Sequence, residues 1–225
     1  MDQERLENGV KIKIIGDSVA AGAGSSMSYE TDELIFEDDG IRYFKRVAPN
    51  SWWGLLEQYI QNKYQKYTIE NKGCSGAFSY QIRNHLDTLI SSEDQLVLIL
   101  MGLNDRKRQN GMEELRNHCE YVVDHLTGSG KVPVLLTPNP SAFENEHRPS
   151  RIYHTEEVVQ VLQDIAHSRK VLLADNYRYI EDYLAKNQLT IDHIIYGQGC
   201  DNDGLHPSDS VQKLMFQNLM ETLQI

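Results

Sequence analysis

Cysteine is scarce in this chain, basic residues are outnumbered, and long apolar runs are missing. Each shortage removes a class of protein. The 225 residues include three cysteines, Cys74, Cys119 and Cys200, an odd number with no C-x-x-C spacing. That argues against a disulfide framework or a zinc ribbon, and reduced thiols in a cytosolic protein are the simplest account. Lys and Arg number 22 against 33 Asp and Glu, giving a formal net charge of −11. Nucleic acids and anionic membranes both call for a basic face, so neither is expected as a partner. No apolar run approaches the ~18 residues of a spanning helix. The polar opening Met1-Asp2-Gln3-Glu4-Arg5 has no apolar signal-peptide core, so the expected location is the cytoplasm.

Several nucleotide and metal motifs are also absent. Gly22 and Gly24 follow a strand-like stretch, but the third glycine of a dinucleotide fingerprint would fall at Met27, and no Gly-Lys-Ser/Thr completes a phosphate loop. Eight histidines form no H-E-x-x-H and no Cys/His cluster with ligand spacing. No metal or cofactor is therefore expected. Gly73-Cys74-Ser75-Gly76 resembles a G-x-S-x-G elbow with the second glycine one residue early, which argues against Ser75 as a nucleophile.

What remains is an ordinary globular composition, 40% hydrophobic and 24% charged, with no repeat and no linker. A single domain over residues 1–225 is expected. Strand patterns fall at residues 11–15, 67–70, 95–101, 132–137 and 170–174. The third is apolar throughout, as suits a strand buried on both faces of a parallel sheet. Helical patterns lie between and after them, at 52–64, 80–90, 112–126, 155–167, 177–187 and 208–223. This alternation predicts a parallel five-stranded sheet with helices on both faces. Residues 27–50, 139–151 and 190–207 are read as long loops.

The chemistry-bearing residues cluster where such a sheet would place a site. Gly16-Asp17-Ser18 ends the first strand, and a hydroxyl there sits at the carboxyl edge of the sheet. Asn71 to Gly76 follows the second strand, and Gly102-Leu103-Asn104-Asp105 follows the third, so both reach that same edge. Glycine N–H groups and an asparagine amide are the donors an acyl-transfer oxyanion needs. Asp203-Gly204-Leu205-His206-Pro207 sets a carboxylate three residues before an imidazole. A carboxylate on one ring nitrogen fixes the tautomer and frees the other nitrogen as a base.

These four blocks, in this order between residues 16 and 207, resemble those of the SGNH, or GDSL-type, hydrolase superfamily. The resemblance implies a three-layer α/β/α, flavodoxin-like fold and a cofactor-free serine esterase. It assigns Ser18 as nucleophile, His206 as base and Asp203 as its orienting carboxylate, with Asp201 a poorer competitor. It places the oxyanion hole at Ser18, Gly76 and Asn104. Arg106, next to the third block, and Tyr43 and Phe44, in the long segment after the first, are candidates for substrate contact. The family covers carbohydrate O-acetyl esterases, lipases, lysophospholipases, thioesterases and arylesterases. A short acyl group, acetyl foremost, on a saccharide or small molecule is the favoured substrate, without stable membrane association. A longer-chain lysophospholipase or thioesterase is the enzymatic alternative, and an acyltransferase using the same serine is another. A non-catalytic carbohydrate-binding protein is disfavoured because every catalytic position is filled.

Overall fold

The computed structural model describes residues 9–64, 67–199 and 201–225. The opening pentapeptide and Cys200, on which two sequence expectations rest, lie outside them. In chain order the first elements are β1 (Val10–Gly16), β2 (Tyr29–Asp38), β3 (Ile41–Val47), α1 (Trp52–Lys63), β4 (Tyr67–Gly73), α2 (Ser79–Asn84) and α3 (Leu86–Leu89). Next come β5 (Leu96–Leu100), a 3-10 turn over Asp105–Lys107, α4 (Gly111–Gly128), β6 (Val132–Leu136) and α5 (Phe143–Glu146). The chain finishes with α6 (Thr155–Arg169), β7 (Leu172–Ala174), α7 (Asn176–Asn187), α8 (Asp192–Ile195) and α9 (Asp209–Leu223).

The expected five-stranded parallel sheet is present, ordered β4-β1-β5-β6-β7. All four strand pairings are parallel. Taken as five successive parallel strands, the order is second, first, third, fourth, fifth, the flavodoxin-like arrangement whose switch point lies between the first and third. Leu-Val-Leu-Ile-Leu of β5 is buried at every position and feeds both faces. Leu96, Leu98 and Leu100 join a core with Trp52, Leu56 and Ile60 of α1, Ile180 of α7, and Val211 and Met215 of α9. Val97 and Ile99 join the opposite core with Ile82 of α2, Val122 of α4 and Leu162 of α6. Alternation along one strand thus supplies both cores of the α/β/α sandwich.

Residues 27–50, expected as a loop, carry an antiparallel hairpin of β2 and β3. Asp39 and Gly40 form its two-residue turn with φ of 48° and 77°, the geometry of a type I′ turn, in which Asp-Gly is favoured. The acidic run on β2 masked the strand pattern, whereas Asp-Gly was the readable signal. The helix expected over 80–90 is split at His85, where φ −104° and ψ 18° leave the helical range. His85 is where the hairpin tip docks. Asp38 Oδ1 lies 2.9 Å from His85 Nε2, and the Phe36 ring stacks on the imidazole at 4.1 Å.

Candidate active site

The end of β1 must bend sharply to present Ser18. Gly16 makes this possible: at φ +141° a Cβ would sit 1.7 Å from the Leu100 carbonyl oxygen of the neighbouring strand. Only glycine allows the two backbones that close. Asp17 then locks the turn, its fully buried carboxylate accepting from Val19 N at 3.0 Å and from Leu103 N at 3.3 Å. Burial pushes the Asp17 pKa up to about 6 against the pull of these backbone bonds. The turn after Ser18 is held from α1 and β4. Trp52 Nε1 donates to Val19 O at 2.9 Å, Trp53 Nε1 to Ala21 O at 3.2 Å, and Asn71 Nδ2 to Ala20 O at 2.8 Å. Trp52 and Trp53 thus brace the turn from α1.

The C-terminal block arrives at this turn from the far end of the chain. Gly24 allows the approach, since a Cβ there would lie 2.7 Å from Pro207 O and 2.8 Å from His206 Cβ. Asp209, opening α9, accepts from Ser26 N at 2.7 Å and Ser26 Oγ at 2.5 Å. Gln212 clamps the same junction, its Oε1 accepting from Trp52 N and its Nε2 donating to Ala23 O and Pro207 O.

Ser18, His206 and Asp203 are brought together. Ser18 Oγ lies 2.8 Å from His206 Nε2, and His206 Nδ1 lies 3.0 Å from Asp203 Oδ2. Asp203 Oδ1 accepts from the N–H groups of Leu205 and His206, both at 2.9 Å. With Nδ1–H donating to Asp203, Nε2 is free to accept the serine hydroxyl. Burial works to raise the Asp203 pKa, but its bonds and charge interaction with His206 outweigh it and hold the carboxyl well below its usual range. Asp201 Oδ2 is 3.4 Å from the same ring nitrogen, so the competitor stands behind Asp203 rather than absent.

Gly76 sits in an exposed turn after β4 with φ +87°. Asn104 follows β5, and its Nδ2 donates to Ala77 O at 3.0 Å, one residue beyond Gly76. This bond takes one amide hydrogen and leaves the second. The Asn104 oxygen is fixed by Lys107, whose Nζ donates to Oδ1 at 2.8 Å. Lys107, three residues after Asn104 and one turn on, thus holds the amide in place. Asp105 faces the other way, accepting from Ser79 N and, at 2.6 Å, Ser79 Oγ, which ties the third block to the start of α2. Burial raises its pKa to about 6. His118 Nδ1 lies 3.0 Å from Ser79 Oγ. The Ser79 hydroxyl is already given to Asp105, so this second Ser–His–Asp set is a structural tie and not a nucleophile arrangement.

Of the three expected substrate contacts, Arg106 and Tyr43 are buried in other contacts. The Arg106 side chain is fully buried, donating from Nε to Leu103 O at 3.1 Å, and from Nη1 to Glu146 Oε1 at 2.9 Å and Thr155 Oγ1 at 2.6 Å. It braces the 139–155 segment, and its charge is used up by Glu146. Tyr43 is buried in the hairpin base against Phe36, with its hydroxyl on Gln81 Oε1 at 2.7 Å. Phe44 lies on the hairpin under the Arg42 guanidinium, 5.1 Å from it. The buried thiols of Cys74 and Cys119 are free, and burial pushes both pKa values up to about 12. Among the described residues, no helix is long and apolar enough to cross a membrane.

The profile of the GDSL-like lipase/acylhydrolase family matches residues 14–214, which includes every residue of this site. The chain belongs to that family and is an ester hydrolase. Solved structures share its fold. The acetylxylan esterase Axe2 of Geobacillus stearothermophilus is 19% identical and superposes with a TM-score of 0.69 over 97% of both chains. A lipase/acylhydrolase of Enterococcus faecalis is 22% identical, with a TM-score of 0.69 over 96% of this chain and 95% of the other. LAE5, an α/β hydrolase enzyme from the metagenome of Lake Arreo, Spain, is 18% identical, with a TM-score of 0.70 over 96% and 95%. No curated protein matches the sequence.

Proposed function

We propose that the chain is a serine esterase removing a short acyl group, acetyl foremost, from a saccharide. The observation that carries the mechanism is the continuous relay from Ser18 Oγ through His206 to Asp203, with bonds of 2.8 Å and 3.0 Å. Ser18 Oγ attacks the ester carbonyl carbon as His206 Nε2 takes its proton, and Asp203 supports the imidazolium that results. The Ser18 and Gly76 N–H groups and the second amide hydrogen of Asn104 receive the oxyanion. Collapse of the tetrahedral intermediate expels the alcohol, which takes the proton from His206. Water, deprotonated by His206 in turn, then releases the acid and restores Ser18.

The acetyl and saccharide parts of the reading rest on analogy with the acetylxylan esterase that shares the fold. Hydrolysis of p-nitrophenyl acetate, p-nitrophenyl octanoate and an O-acetylated xylo-oligosaccharide tests it. The acetate esters are expected to be cleaved with higher kcat/KM than the octanoate, and the activity to vanish in Ser18→Ala. A preference for octanoate overturns the acyl assignment, and an active Ser18→Ala overturns the mechanism.

A further inference from the structure

Two adjoining cavities lie beside the catalytic loop and take no part in the chemistry described above. One, of about 490 Å³, is lined by Phe143, Glu144, Asp192 and Tyr196. The other, of about 440 Å³, shares Phe143 and Asp192 and continues past Tyr177 and Glu156. Together they form one trough over the carboxyl ends of β6 and β7. Its near end touches the triad loop. A Cβ on Gly204, the residue after Asp203, would meet the Tyr196 hydroxyl at 2.7 Å and Ala142 Cβ at 2.8 Å. Ala142 N donates to Gly204 O at 2.7 Å, and Asn145 Nδ2 donates to Asp203 O at 3.2 Å. The segment that carries Phe143 is therefore fastened to the loop that carries His206.

The trough has the chemistry of a neutral, hydroxyl-rich ligand. Phe143 is 67% exposed, yet its ring is not adrift: His147 stacks on it at 3.8 Å. Tyr196 is 38% exposed across the same cavity. Exposed rings held in fixed planes are costly to keep bare and suit the apolar C–H face of a sugar. Glu144, Asp192 and Glu156 supply acceptors for hydroxyl groups, and Tyr177 donates to Glu156 Oε1 at 3.0 Å. No lysine or arginine lines either cavity among the described residues. Of the four lining carboxylates Glu146 is held by Arg106, and the other three, beside the imidazoles of His147 and His154 and no lysine or arginine, disfavour phosphate, uronate and fatty-acid headgroups.

We propose that this trough is a saccharide subsite that holds the non-reacting sugar units of an acetylated oligosaccharide while one acetyl group reaches Ser18. The inference deepens the esterase reading and rests on it for the position of the acetyl group; binding in the trough can be measured without any turnover.

The test has two arms on the full chain. The first is titration of unacetylated xylotetraose, followed by calorimetry or by chemical-shift changes, against wild type, Phe143→Ala and Tyr196→Ala. Binding that weakens about fivefold to tenfold in each variant is expected, the loss appropriate to one stacked ring. The hairpin variant Ile41→Ser, which removes an exposed apolar side chain that lines neither cavity, is expected to bind as wild type does. No binding by wild type, or binding indifferent to both aromatic variants, overturns the subsite. So does a preference for spermine over the neutral sugar, which would mark an amine cage instead. The second arm compares KM for O-acetylated xylotetraose with KM for O-acetylated xylose, and the subsite predicts a lower value for the longer ester that Phe143→Ala erases. Cleavage of p-nitrophenyl acetate without cleavage of either sugar ester, with xylotetraose still bound, sinks the saccharide-ester reading and leaves the trough standing.

Discussion

Removing the Asn104 side chain is the sharpest probe of the proposed oxyanion hole. Asn104 has two amide hydrogens; one is committed to Ala77 O at 3.0 Å, and Lys107 Nζ pins its oxygen at 2.8 Å. The amide plane is thereby fixed, and the uncommitted hydrogen is aimed without reorganisation. Loss of one such preorganised donor costs roughly 10²–10³ in kcat, or about 2.7–4 kcal/mol. Asn104→Ala should therefore lower kcat for p-nitrophenyl acetate by that factor, with KM changing less than about threefold because the donor acts on the transition state. The fold should persist. Two hydrogen bonds are lost, to Ala77 O and from Lys107 Nζ, together worth about 2 kcal/mol, which for a chain of this size lowers Tm by about 4–8 °C. Lys107→Met leaves the donor in place but frees its plane, so its effect on kcat should lie between wild type and Asn104→Ala, with Lys107→Arg restoring part of it. A folded Asn104→Ala that keeps kcat within tenfold of wild type would refute the oxyanion assignment.

Three further outcomes follow from the geometry. Gly16→Ala drives a methyl onto the Leu100 carbonyl at 1.7 Å, so a destabilisation of about 3 kcal/mol or more is expected by urea unfolding; an unchanged midpoint would show that the strand ends are not so tightly apposed. Asp203→Asn should cost about 10⁴ in kcat, as loss of the tautomer-fixing carboxylate does in comparable triads, and Asp201→Asn under tenfold, because Asp201 stands 3.4 Å from the ring against 3.0 Å for Asp203; equal losses would make the two carboxylates joint partners. Asp17 and Asp105, each raised to about 6 by burial, hold protons more tightly folded than unfolded. Their contribution is most favourable below the unfolded carboxylate range and is lost as pH rises through 6, by on the order of 3 kcal/mol for Asp17. Asp203, depressed instead, works the other way and loses its contribution only on stronger acidification. Urea midpoints should thus fall between pH about 4.5 and about 7, and fall less in Asp105→Asn; a midpoint that rises over this range contradicts the burial of these groups.

The sequence was most informative where local pattern and chemistry coincide. The apolar β5, the glycine-ended β1 and the four blocks predicted the sheet and the sites of Ser18, Asn104 and His206, because strand period and turn residues are local properties. What escaped was decided by tertiary contact. Arg106 looked like a cation beside a pocket, but Glu146, forty residues on, draws its guanidinium into the interior. Tyr43 looked available until Phe36 and Gln81 closed around it. The trough beside the triad loop is lined from three separate segments, near residues 141–156, 177 and 191–196. Each segment alone reads as an unremarkable surface.

The stitching of α9 to the turn behind Ser18 has a consequence for the order in which the protein gains its properties during synthesis. β1 pairs with β4 and β5, so a nascent chain that has emerged as far as β6 already holds four of the five strands of the sheet. The nucleophile would by then stand in its turn without a base. His206 is supplied 188 residues after Ser18, and the bonds from Asp209 and Gln212 that seat it belong to α9, which follows it in the chain. The proposed triad is therefore completed only when α9 docks, and a chain clipped before α9 loses both the seat of His206 and the Val211 and Met215 contribution to one core.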